Sequence, residues 1–245
     1  MKLSANCDSK LDLLGFGRGN AKLSKEIYTF TLPVGWNCPG AKACLAKVPK
    51  EGGKIIDGPS QEYRCYQASA EVRFPGVRAI AWRNDKLLKA CKSSAEMTAL
   101  ILRSLPADAR IVRIHIGGDF WSEAYFLAWV EVAKQRSATR FYAYTKSLNF
   151  WVRHLADIPA NLRLTASEGG KFDHLISAYQ LKTVRVVFTI EEAFALGLEL
   201  DHDDSHAYEG EDNFALLIHG SQKANSDAGK AVRVLNGKGS YSAKR

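Results

Sequence analysis

With 245 residues, 46% hydrophobic and 24% charged, the chain has an ordinary globular composition and length enough for one large domain, and about 250 residues is also the common size of an α/β barrel. No apolar run is long enough to cross a bilayer and Met1–Asn6 lacks the apolar core of a signal peptide, so no membrane partner and a cytoplasmic home are expected. The net charge of +8 suggests polyanionic company, a nucleotide or nucleic acid, while five cysteines (Cys7, Cys38, Cys44, Cys65, Cys91) favour free thiols or metal ligands over a disulfide framework.

Residues 1–25 read as a polar, Gly-rich leader. Gly15-Phe16-Gly17-Arg18-Gly19-Asn20 has the look of a nucleotide loop, but no strand precedes it and no helix pattern follows, both of which a dinucleotide fingerprint needs. Ile27–Leu32, β-branched and aromatic, predicts the first strand, stopped at Pro33. Residues 34–65 then form a long, cysteine-bearing connection thick with Gly, Pro and Lys, and so long a loop inside a compact domain points to function. Helical spacing covers Val77–Leu88 and Ser94–Leu105, the latter with Ser94 as its expected cap. Ile111–Ile116 predicts a second strand, followed by the helix Ser122–Gln135 with Tyr125, Trp129, Val132 and Ala133 on one apolar face. Strands at Phe141–Thr145, Asn161–Ala166, Val184–Ile190 and Phe214–Ile218 alternate with helices near Phe150–Leu155, Phe172–Tyr179 and Glu191–Leu196. The acidic run Asp201–His206 reads as a solvated loop, although His202 and His206 have the spacing of a metal pair on a helix. The residues from about Ala224 read as a loosely packed basic tail. This alternation predicts one α/β domain over residues 1–245: parallel strands with right-handed crossovers, forming a TIM-like parallel barrel, partial or complete.

Ligands in parallel-sheet folds gather at the carboxyl ends of strands, and the chemistry-bearing residues fall there. Cys38 and Cys44 follow the first strand and Cys65 comes after an insertion. Three thiolates at one strand end suit a site-differentiated [4Fe–4S] cluster, with one iron left open. A structural zinc is the competing chemistry, with His115 as a fourth ligand, and unconnected buried thiols are the plain alternative. After the second strand, Gly117 and Gly118 allow a sharp turn that presents Asp119, with His115 one pleat inside as a ligand or general base. Lys146 ends the third strand, where it could meet a phosphate or carboxylate. Glu168 ends the fourth as a candidate acid or base, with a simple turn at Ser167–Gly170 as the alternative, and His219 ends the sixth. Trp82, Trp121, Trp129 and Trp151 fall on helical faces and read as core.

Gly19-Asn20-Ala21-Lys22-Leu23, Cys38-Pro39-Gly40-Ala41 with Cys44, Cys65-Tyr66, Arg113-Ile114-His115 with Gly118-Asp119-Phe120, Tyr142–Ser147 and the closing Gly239-Ser240-Tyr241-Ser242 together resemble the phage "gene product 88" family. That resemblance covers most of the chain and implies a bacteriophage or prophage origin, but no mechanism. More distantly, a cysteine loop after strand one and a Gly-Gly-acid end to strand two are similar to the layout of radical SAM enzymes. That likeness implies a cluster on Cys38, Cys44 and Cys65, with Gly117, Gly118 and Asp119 meeting S-adenosylmethionine. The sequence departs from that pattern: Asp119 is one methylene shorter than the usual Glu, and five residues separate Cys38 from Cys44 and twenty separate Cys44 from Cys65. The leading expectation is therefore an iron–sulfur protein and radical SAM-like enzyme acting on a nucleotide or nucleic acid, with His115, Asp119, Lys146 and Glu168 as candidate catalytic groups. The alternatives are a non-enzymatic nucleic-acid-binding or host-interaction protein with a structural zinc, and a metal-free barrel hydrolase using His115, Asp119 and Glu168.

Overall fold

The computed structural model describes residues 13–20 and 22–235. In chain order, the strands are β1 (Gly17–Arg18), β2 (Ile27–Thr29), β3 (Ala46–Lys47), β4 (Ile56–Asp57), β5 (Ile111–Ile114), β6 (Arg140–Thr145), β7 (Leu162–Ser167), β8 (Thr183–Val187), β9 (Glu199–Leu200) and β10 (Phe214–Leu217). The helices are α1 (Tyr66–Arg73), α2 (Pro75–Ala90), α3 (Ser94–Ser104), α4 (Glu123–Gln135), α5 (Leu148–Arg153), α6 (His174–Tyr179), α7 (Ile190–Ala195), α8 (Ser205–Tyr208) and α9 (Asp227–Leu235). Eight strands make one sheet in the order β1-β2-β5-β6-β7-β8-β10-β9. The six strands from β2 to β10 run parallel and in chain order, while β1 is antiparallel to β2. The six expected strands are all present, within a mixed α/β fold built on a mostly parallel sheet. The sheet does not close: β1 and β9 remain its edges, so a complete barrel is not formed among the described residues.

Period-two alternation along β6 shows how the layers are made. Phe141 and Ala143 join the large core beneath Trp129, Phe126 and Leu100 of the helical layer, whereas Tyr142 and Tyr144 face the other side, with Ile27, Val184 and Phe214. Helix α4 buries Tyr125, Phe126, Ala128, Trp129, Val132 and Ala133, and Ser122 Oγ caps it by accepting from Tyr125 N at 3.2 Å. The cap of α3 is Ser93, one residue earlier than the sequence suggested, because Ser93 Oγ accepts from Glu96 N while the Glu96 carboxylate takes Lys92 N.

Three expectations are corrected. The 34–65 connection is not structureless: it carries the β3–β4 hairpin and an antiparallel bridge from Ala41 to Gly170. Within the described part of the supposed tail, residues Asp227–Leu235 form α9, whose Ala228 and Leu235 pack with Val187, Leu217 and Ile218. The acidic run is not a solvated loop, since Asp201 and Asp204 are buried. Cys7, Ala21, the first half of the leader and the closing Gly239–Ser242 lie outside the described residues. Among the described residues, no helix is long and apolar enough to cross a membrane.

Helix α1, unforeseen from sequence, holds a buried carboxyl. Glu71 accepts from Val34 N at 2.9 Å, beyond the end of β2, and burial raises its pKa from 4.5 to about 7. A carboxyl that is harder to ionise in the folded chain stabilises the fold below its unfolded pKa, and that contribution is lost as pH rises from about 4.5 to 7. The loss is about 3 kcal/mol at most. Glu71→Gln keeps an acceptor for Val34, and is expected to be more stable than the wild type at pH 8 but not at pH 4.5. Denaturant titrations of both proteins at the two pH values check this; equal differences at both would show that Glu71 does not titrate in that window.

Candidate functional site

The carboxyl ends of β2, β5, β6 and β7 are stitched together by the cysteine loop. Asp119 N donates to Asn37 O, Ala43 N to Gly169 O and Lys171 N to Gly40 O, each at 2.9 Å. Close approach requires glycine here. A Cβ on Gly40 would stand 2.2 Å from Lys146 O, and one on Gly118, whose φ is +81°, would stand 2.6 Å from Leu32 Cβ. The loop leads into α1 through Cys65, whose N donates to Cys44 O at 3.2 Å.

Cys38, Cys44 and Cys65 thereby line one cavity of about 360 Å³, together with His115, Gly117, Gly118, Asp119 and Lys146. All three cysteines are unpaired and half-buried. Burial, followed by the charges of Asp119, Cys65 and Cys44, raises the Cys38 thiol well above its usual pKa. Burial and Cys44 push Cys65 up to about 12, and burial raises Cys44 against the pull of Lys146. The three are thus neutral thiols that a cation would convert to thiolates with release of protons. Among the described residues, no group of three or more His, Cys, Asp or Glu side chains is placed so that it could hold a metal ion.

Asp119 is buried, and burial raises its pKa against its hydrogen bonds. Its Oδ1 accepts from Phe120 N at 2.7 Å and Thr145 Oγ1 at 2.6 Å, and its Oδ2 from Lys146 N at 2.8 Å. Three of the four lone-pair positions of the carboxylate are taken, and one on Oδ2 remains. The Lys146 ammonium donates to Ser167 O and Ser167 Oγ at 2.8 and 2.9 Å and also to Glu168 O. It is a tie between the ends of β6 and β7, with all three donors occupied.

His115 has a left-handed backbone, φ 68°, and its Nε2 lies 3.0 Å from Tyr125 Oη in the helical layer. Burial and the nearby Arg113 charge lower its pKa to about 3, so it stays neutral across the physiological range. Glu168 is not part of the cavity lining; its carboxylate pairs with Arg185 at 2.7 Å. His115, Asp119 and Glu168 therefore do not form one catalytic constellation. His206 pairs with Asp201 and Glu199, not with His202 around a metal.

The sequence reading missed the cavity floor. Arg113 in β5 donates through Nη1 to Asp204 at 2.6 Å and through Nη2 to Tyr66 Oη at 3.0 Å. Lys22 bridges Asp201 at 3.0 Å and Asp204 at 2.5 Å, and Tyr142 Oη donates to Asp204 at 2.9 Å. Tyr66 also donates to Ile116 O at 3.1 Å, while its ring lies 4.7 Å from that of His219, just beyond β10. One side chain of α1 thus touches the third and the seventh strands of the sheet. The advance signals were the places of Lys22, Tyr66, Arg113 and Tyr142 within the motif series and the His219-Gly220 strand end.

The model of the family described as "Gene product 88" matches residues 13–236. The chain belongs to that family. Its relatives include the "Gene 88 protein" of Mycobacterium phage D29, 29% identical over 122 residues, and that of Mycobacterium phage L5, 28% identical over 120 residues. Each match covers 46% of this chain and 43% or 44% of the relative, so the aligned part spans less than half the length of these phage proteins. No solved structure matches the chain. The family match spans the motif series from Gly19 to Ser147, whereas neither comparison extends to radical SAM enzymes.

Proposed function

We propose that this gene product 88 protein is a phage-type iron–sulfur enzyme of radical SAM-like design, with a nucleotide or nucleic acid as its substrate. The observation that carries the reading is the convergence of Cys38, Cys44 and Cys65 on one cavity at the carboxyl ends of parallel strands. Six parallel strands in chain order, with Tyr66 spanning from β5 to the end of β10, support a partial TIM-like barrel as the frame. Three cysteines free of disulfides supply the number of thiols that a cluster with one open iron requires, and they would have to draw together around it. When bound, such a cluster supplies an electron at that iron.

The chain's own residues position and insulate. The glycine turn brings the backbone of β5 under Leu32, and Asp119 holds that turn while keeping one acceptor position for the amino group of S-adenosylmethionine. Lys146 fixes the β6 and β7 ends against which the cysteine loop packs. The substrate class rests on the +8 charge and on the phage relatives. A mononuclear zinc held by the same thiols is the competing metal chemistry.

Anaerobic purification followed by iron and sulfide reconstitution tests the reading. A brown protein with about four irons per chain is expected. A colourless protein after reconstitution, or one holding a single zinc, would overturn it.

A further inference from the structure

The cavity has a second end, and its charges are already spent. Four cationic side chains line the cavity: Lys22, Arg64, Arg113 and Lys146. Lys22 is ion-paired to Asp201 and Asp204, Arg113 to Asp204, and Arg64 to Asp57 at 2.7 Å. Lys146 donates its three hydrogen bonds to Ser167 and Glu168 oxygens. The wall contributed by β8, β10 and the turn after β5 is apolar, made by Val184, Val186, Leu216, Ile218 and Ile116. Val184, Val186, Leu216, Ile218 and Ile116 offer no charged or hydrogen-bonding side chain, so a phosphate, carboxylate or ammonium placed against that wall would lose its hydration without gaining a partner from it, the Arg113 Nε–H and the open Asp119 position belonging to β5 and its turn. Either burial is costly without a partner, whereas an apolar group gains by the same transfer.

We propose that the end of the cavity walled by β8 and β10 binds an uncharged, largely apolar ring-sized group of the substrate and rejects charged ones. If the substrate is a nucleotide or nucleic acid, the base enters and its phosphates remain outside. The proposal rests on the reading of this cavity as the substrate site, but not on the cluster.

Three probes of one ring size test it: 2-naphthol, 2-naphthoate and 2-naphthylmethylammonium, titrated calorimetrically against the full-length chain before and after iron–sulfide reconstitution. The neutral probe is expected to bind at least about tenfold more tightly than either ion, the ratio of roughly one buried uncompensated polar group. Val186→Trp, which fills the wall, is expected to weaken 2-naphthol binding at least about tenfold, with Leu216→Trp as a second variant should the first fail to fold. An ion binding as tightly as 2-naphthol overturns the proposal. So does absence of binding by all three, or 2-naphthol binding that is indifferent to a folded wall variant. Iron retained with the probe ranking lost defeats this inference alone. The ranking retained in a protein that takes up no iron defeats the iron–sulfur reading alone.

Discussion

Asp204→Asn is expected to destabilise the protein by about 3–5 kcal/mol, the usual consequence of removing one partner from a buried ion pair. Asp204 is fully buried, and its carboxylate holds Arg113, Lys22 and Tyr142 at once. Burial opposes its ionisation, but Arg113 and then Lys22 outweigh burial and hold its pKa below the ordinary carboxylate range. Asparagine tolerates the left-handed backbone at this position, φ 67°, so the substitution reports on charge. The guanidinium of Arg113, itself buried, is then left facing an amide. For a chain of this length the loss corresponds to a fall of roughly 6–20 °C in Tm, read by calorimetry at neutral pH. The sign with pH follows from the depressed pKa: the stabilisation is present above the unfolded carboxylate pKa and is lost as pH falls through the folded one, so variant and wild type should converge in acid. Arg113→Met combined with Asp204→Asn should cost less than either change alone, because no uncompensated charge then remains while Lys22 keeps Asp201. A single Asp204→Asn change costing under about 1 kcal/mol would show that water reaches the pair and screens it.

Replacing any one of Cys38, Cys44 and Cys65 by alanine is expected to reduce bound iron after reconstitution to less than about a tenth of the wild-type level, since two thiolates do not hold a site-differentiated cluster. Cys91→Ala should retain all of it. Cys91 does not line the cavity; it ends α2, with its Sγ 3.5 Å from Leu87 O. The three cavity thiols border open space, so each truncation should leave the apo fold within about 1 kcal/mol of wild type. Loss of iron would then not be loss of folding. Metal analysis and the visible absorbance of the four variants decide it: full iron in Cys65→Ala, or equal loss in Cys91→Ala, would remove the cluster from this cavity.

The motif at the end of β5 gained a definite setting. Gly117 and Gly118 were legible as a turn, and the structure supplies the reason for both glycines in the approach of Gln67 and Leu32. Asp119 moved from a freely presented acid to the knot of the turn, because Thr145 and Lys146 N come to it from the neighbouring strand. Lys146 and Glu168 were read at strand ends, where they are, but a strand end does not say which way a long side chain turns. Lys146 turns back onto backbone oxygens and Glu168 out to Arg185.

The sequence by itself determined the alternation of strands and helices, the apolar face of α4 and the three cysteines as the groups worth following. These rest on periodicity and on residue chemistry, which are local. Tertiary structure alone decided that the sheet stays open, that α1 reaches across it, and that Asp201 and Asp204 are buried beneath the cavity. A charged run reads as a solvated loop unless its partners are known, and those partners, Lys22 and Arg113, lie 179 and 91 positions away in the chain. No local pattern carries such a pairing, because its energy exists only once the distant strands are in place.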